Sequence, residues 1–195
     1  AITGEILQGS QITNGVVATG TTDIDLAGVQ SSPQATTGFT LGANLDASAT
    51  SATTFTSPIT IFNSVGTSDT LSIQFTKVAN ANQWTYAISS AEGTLSSGAS
   101  GSVTFDTSGA LSSPTTDQSI VIDFSAASTP AATQTLTWDL VDASGNTNGK
   151  LTGFAAASNN NSLVQDGFTT GTLIGLSTSS DGKISGLFNN GQTSE

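Results

Sequence analysis

The sequence predicts an all-β protein, on three observations. Helix-forming residues at the 3.6-residue helical spacing are missing: the chain has only three cations, and its Ala mostly sits beside Ser, Thr or Gly. Ser, Thr and Gly dominate while aromatics are held to 6%, a mixture suited to strands and turns. Several stretches also alternate apolar and hydroxyl side chains, the pattern of a half-buried strand. At 195 residues the chain can make one large β domain or two small ones and bury a core without covalent staples.

Residues 1–55 are irregular. Short apolar pieces at Ile6 and Leu7, Val16 and Val17, and Ile24 and Leu26 are separated by Gly and Thr; "SSPQATT" reads as a linker, and "TTGFTLGANLDA" as a strand with Phe39 and Leu41 on one face. From residue 56 alternation takes over. Ile59 and Ile61 in "SPITIFNS", then Leu71, Ile73 and Phe75 set against Ser72, Gln74 and Thr76, form a half-buried hairpin around the turn "NSVGTS". "NANQ" turns the chain into "WTYAI", where Trp84, Tyr86 and Ile88 share a face, and "SAEGTLSSGASG" follows as a flexible loop. The strand "SVTFD", the turn "TSG" and the strand "SIVIDF", with Ile120, Ile122 and Phe124 aligned, lead through a second Ser/Ala-rich loop to "QTLTWDLV". There Leu136, Trp138 and Leu140 oppose Thr137 and Asp139. Gly149 to Phe154 closes a compact sandwich or barrel.

"AAASNNNSLVQDG" marks a break in composition, after which the Gly-rich texture of the first fifty residues returns. A chain that leaves one domain, builds a second and comes back would read this way. At the end, the turn dipeptides Asp181-Gly182 and Asn190-Gly191 bracket Ile184, Leu187 and Phe188, a hairpin whose next strand is missing.

A net charge of -11 comes from fourteen carboxylates against Lys77, Lys150 and Lys183, with no Arg. That surface repels nucleic acid and anionic lipid. The chain has no apolar run long enough to span a bilayer, no secretory signal pattern and no Met, so it reads as an excised piece. Lack of Cys and His removes disulfides, Ser-His-Asp and Cys-His catalysis, structural zinc, and haem ligation through either residue. No catalytic, cofactor-binding or metal residue is expected.

Asp23 and Asp25, two apart on a strand and roughly 7 Å from each other, make the closest carboxylate pair, but no sugar-stacking aromatic accompanies them. In "DASGNTNG", Asp142, Ser144, Asn146 and Asn148 place oxygen donors at alternate positions as a calcium loop begins, but Thr147 stands where Gly is needed and Gly153 where Glu is needed. A polar hairpin loop is the better reading. Trp84, Tyr86 and Trp138 could form a sugar-binding platform if exposed, though their aliphatic strand neighbours argue for a core. Asn160-Asn161-Ser162 is the single glycosylation sequon, and no glycine set has phosphate-loop spacing.

The segment "LVQDGFTTGTLIGLSTSSDGKISGLFNNGQT", 163–193, resembles the region near the C-terminus of bacterial flagellar hook proteins and their axial relatives in the rod. The shared pattern is Asp166-Gly167-Phe168, Gly171, Leu173, Asp181-Gly182, Ile184, Gly186 and Asn190-Gly191-Gln192. "TLGANLDASA", "ITIFNSVGTSDTLSIQFTKVANANQWTYAI" and "VTFDTSGAL" resemble further stretches of that family, although the pair Trp84 and Tyr86 stands one residue closer than its pattern.

The resemblance implies a discontinuous Gly-rich middle domain, 1–55 plus 163–195, with an outer β domain, 56–162, inserted into it. It implies a structural subunit of the extracellular hook, polymerising with copies of itself into a flexible curved tube that transmits torque. It would meet rod and hook-filament junction proteins at the tube's ends and the hook cap during assembly, and would leave the cell by flagellar type III export without a cleaved signal peptide. Terminal helices that build the inner wall would lie outside this chain, so the chain alone would be a monomer. The distal rod protein lacks a full inserted domain, which favours the hook. The rival readings are an extracellular adhesin or carbohydrate-binding module and, more distantly, a carboxylate hydrolase.

Overall fold

Alternation between apolar and hydroxyl residues becomes sheet in a computed structural model that describes residues 8–10, 12–14, 16–79 and 82–195. Strands and turns account for its regular structure, with no helix among the described residues. Ile6, Leu7 and the Asn80–Ala81 half of the turn before "WTYAI" lie outside them. Contacts divide the chain into a larger unit, Ser32–Thr170, and a smaller one, made of the described residues up to Ser31 with Gly171–Glu195.

In chain order the strands are β1 (Gln8–Gly9), β2 (Ile12–Thr13), β3 (Val16–Val17), β4 (Thr22–Asp23), β5 (Gln30–Ser31), β6 (Gly38–Asn44), β7 (Thr54–Phe62), β8 (Ser68–Lys77), β9 (Gln83–Ser90) and β10 (Thr94–Ser97). There follow β11 (Ser100–Phe105), β12 (Leu111–Ser113), β13 (Gln118–Asp123), β14 (Gln134–Trp138), β15 (Leu151–Thr152), β16 (Asn159–Gln165), β17 (Gly171–Thr178), β18 (Ile184–Phe188) and β19 (Thr193–Ser194).

The larger unit is a sandwich of two sheets. One is antiparallel in the order β12-β11-β9-β8-β7, and the expected hairpin is its β7–β8 pair, with Ile59 opposite Leu71. The other runs β10-β13-β14-β6-β15, with β16 also on β6. Here β6 pairs in parallel with β14 near its start and β15 near its end, while antiparallel β16 takes its opposite edge. Inward side chains of the two sheets meet: the Tyr86 ring of β9 lies edge-on to Trp138 of β14 with centroids 5.2 Å apart, and Phe75 of β8 lies 6.2 Å from the same ring. Trp84, Tyr86 and Trp138 all sit in the core, where burying large rings contributes more than any exposed platform could.

The smaller unit holds the sheet β19-β18-β17-β5 and the short pairs β1–β4 and β2–β3. The hairpin expected to stop unfinished is in fact continued: Thr193 and Ser194 pair with Leu187 and Gly186. Two other stretches also differ from their reading. "SAEGTLSSGASG" holds β10, which leaves the sheet of β9 and pairs with β13, Leu95 opposite Ile122. "AAASNNNSLVQDG" holds β16, seven residues long and paired along β6. The limits of the larger compact unit fall at Ser31/Ser32 and Thr170/Gly171, and β6 and β16 are hydrogen-bonded into the second sheet of its sandwich.

Candidate functional site

Where the larger unit's chain enters and leaves, its two segments are tied side by side. Gln34 and Phe168 exchange backbone hydrogen bonds of 2.9 Å in each direction, and Gln34 Nε2 donates to the Asp166 carbonyl at 2.8 Å. Asp166 then gathers the entering chain. Its Oδ1 accepts from the Thr37 N–H at 2.8 Å and the Gly38 N–H at 3.1 Å, and its Oδ2 accepts from the Thr37 hydroxyl. Burial pushes the Asp166 carboxyl up, but these donors outweigh it, and its pKa falls below the ordinary value.

Behind the carboxylate lies a second layer. Thr36, with none of its surface exposed, accepts from the Phe62 N–H at 2.9 Å and donates to Gln165 Oε1 at 3.0 Å. Gln134 Nε2 donates to the carbonyls of Thr36 at 2.5 Å and Phe62 at 3.1 Å, and Gln165 Oε1 also accepts from the Gly167 N–H at 2.6 Å. Gly167 is required by this closeness: a Cβ there would stand 2.3 Å from Thr36 Oγ1 and 2.7 Å from the Thr36 nitrogen. The Asp166-Gly167-Phe168 run singled out by resemblance is thus a polar clasp.

No sequence signal marks Gln34, Thr36, Thr37 or Gln134, because "SSPQATT" has the composition of a linker. Polar residues read as solvated; only the fold shows that the Gln34 amide, the Thr36 and Thr37 hydroxyls and Gln134 Nε2 are paired, which offsets the cost of burying them, while Gln134 Oε1 is buried without a partner.

The other candidates fall apart as sites. Asp23 accepts from Gln8 Nε2 at 2.8 Å and Asp25 from the Ala27 N–H at 2.8 Å, so each carboxylate is engaged locally and both lie exposed. Asp142 Oδ1 accepts from the N–H groups of Ser144 at 2.8 Å and Asn146 at 3.0 Å. Those bonds, Asn146 first, lower its pKa and close a hairpin turn. Asn148 turns its amide to the Asp139 carbonyl at 2.9 Å, so the four oxygen-bearing residues do not converge on a shared centre. Asn160 is exposed on β16.

A sequence model of the flagellar basal body protein FlaE D2 domain matches residues 14–168. The chain belongs to this family. The D2 match ends on the clasp's last residue, Phe168, so the Gly171-to-Gln192 half of the end motif rests on its residues alone.

Two solved structures are similar to this D2 chain. A 32 kDa fragment of the flagellar hook protein FlgE from Caulobacter crescentus is 21% identical over 57% of this chain and 46% of that one, with a TM-score of 0.43. The Helicobacter pylori flagellar hook protein FlgE2 is 16% identical over 72% of this chain and 31% of that one, with a TM-score of 0.49. The chain spans less than half the length of either. No curated protein matches.

Proposed function

We propose that this chain is the middle and outer part of a flagellar hook subunit, without catalytic function. The observation that carries the reading is the family match over 14–168. The clasp supports it, since it brings the ends of Ser32–Thr170 together as an inserted domain requires. In this reading the outer domain is carried on a discontinuous middle domain. Copies of the chain assemble into the curved tube, with rod proteins, junction proteins and the assembly cap as end partners and export through the flagellar route. An acidic surface rich in Ser, Thr and Asn suits contacts that are modest and polar, which neighbouring subunits can shift as the tube bends.

Immunogold electron microscopy tests the assignment. Antibody raised against residues 1–195 is expected to decorate the hook segment of isolated flagella. Decoration of the filament or the cell surface, with bare hooks, would overturn it.

A further inference from the structure

Asparagine precedes glycine at Asn14, Asn148 and Asn190. A glycine, lacking Cβ, lets its nitrogen reach the side chain before it, so an Asn-Gly pair is where an asparagine amide is attacked by its own backbone. At Asn148 both partners of that attack are held. Nδ2 donates to the Asp139 carbonyl at 2.9 Å, Oδ1 accepts the Lys150 N–H at 3.0 Å, and the Gly149 N–H donates to Thr147 Oγ1 at 3.3 Å. Asn190 is held in the same way. Its Nδ2 donates to Ser31 Oγ at 3.0 Å, its Oδ1 accepts the Gln192 N–H at 3.1 Å, and the Gly191 N–H donates to the Phe188 carbonyl at 3.0 Å. The Asn14 side chain is exposed, makes no hydrogen bond among the described residues, and stands at a left-handed φ of 51°. It follows β2 in a ribbon where Ile12 faces Val17 and Thr13 faces Val16. Val16 and Val17 are exposed, and a two-stranded ribbon that buries so little opens at small cost.

We propose that Asn14 is this chain's site of spontaneous deamidation, with water as the only co-reactant. The Gly15 backbone nitrogen gives its proton to water and bonds to the Asn14 side-chain carbonyl carbon. The bond from that carbon to Nδ2 breaks, and Nδ2 takes up a proton and leaves as ammonia. Water then opens the resulting succinimide ring. Cleavage at the side-chain carbonyl gives aspartate; cleavage at the backbone carbonyl gives isoaspartate, whose chain runs through the former side chain. Either product adds a carboxylate to a chain already at -11. Isoaspartate also lengthens the backbone inside a turn whose two-residue geometry sets the β2–β3 register, so the ribbon is lost in that product. The fold thus directs the reaction to the smaller unit's most weakly held turn and spares the Asn190 turn, where β18 meets β19, and the Asn148 turn of the larger unit.

The test incubates the whole 195-residue chain in mildly alkaline buffer, folded and in urea, and follows each Asn-Gly peptide by mass spectrometry. Replacement of an amide by an acid changes the mass, whereas isomerisation at Asp181-Gly182 does not and stays out of the count. Breaking the bonds around Asn148 or Asn190 slows attack there, so in the folded chain Asn14 is expected to convert at least about tenfold faster than either. Isoaspartate should appear among its products. In urea the rates at the three positions should converge. Conversion first at Asn148 or Asn190, equal rates in the folded chain, an Asn14 that stays intact, or a folded-state ordering that persists unchanged in urea would each overturn the proposal.

Discussion

Asp46, Asp106, Asp123 and Asp142 each stand two residues before a serine, and in each the Oδ1 accepts the N–H of Ser48, Ser108, Ser125 or Ser144 at 2.8 Å. This is the local turn that Asp favours, and it places four of the larger unit's nine carboxylates at corners. The serine side chain leads in lowering the carboxyl of Asp46 and Asp106, the Ser125 N–H in lowering Asp123, and the Asn146 N–H in lowering Asp142. Folded values thus lie below unfolded ones. The stability these groups add is present above about pH 4 and disappears as pH falls through the folded values. The urea midpoint is therefore expected to stay level from pH 7 to 5 and to drop below about pH 4; a midpoint that rises on acidification would contradict the turns' role. At the clasp, Gly167→Ala sets a Cβ against the Thr36 backbone and should cost about 1–3 kcal/mol in urea unfolding, whereas Gly175→Ala should cost less, because no atom lies within 4 Å of that Cβ and its φ is not positive.

Strands found by alternation and strands found only by pairing differ in kind. β8 shows a clean two-sided pattern over its ten residues because one face meets the opposing sheet, whereas β16 exposes nearly every side chain and exists through its backbone bonds to β6. β10 is similar: Leu95 is its single large apolar residue, and a register shift follows it. Gly98 closes that strand with φ +73, and a Cβ there would lie 2.2 Å from the Ser119 carbonyl oxygen. Gly98→Ala is expected to detach β10 from β13, seen as lost hydrogen-exchange protection at 94–97 with β8 and β9 still protected. Unchanged protection at 94–97 would show that the close approach relaxes freely.

At the scale of the molecule the two units are built with very different cores. Buried hydrophobic side chains among the described residues fall between Phe39 and Leu151, with Phe188 the one exception. In the smaller unit Val16, Ile174 and Leu176 are 70%, 63% and 47% exposed, so little burial opposes the entropy of ordering its strands. Because Trp84 and Trp138 both report on the larger unit, tryptophan fluorescence isolates it. In urea, amide protection on β17 and β18 should vanish at a lower midpoint than the fluorescence transition. Coincident midpoints would mean the units unfold as one.

The sequence by itself determined the fold class, the inward set from Ile59 to Leu140 and the polar character of the Asp142 loop, because alternation and turn chemistry are local. The end motif pointed to the family through Asp166, Gly167 and Phe168 without revealing what they do. Tertiary structure alone decided that "SSPQATT" is clasped, that β10 and β16 are strands and that the unit limits lie at Ser31 and Thr170. The physical reason is common to all three. Each depends on hydrogen bonds between segments distant in the chain, such as Thr37 to Asp166 and Asn159 to Asn44, and a backbone bond or a satisfied polar side chain leaves no hydrophobic period for a sequence to display.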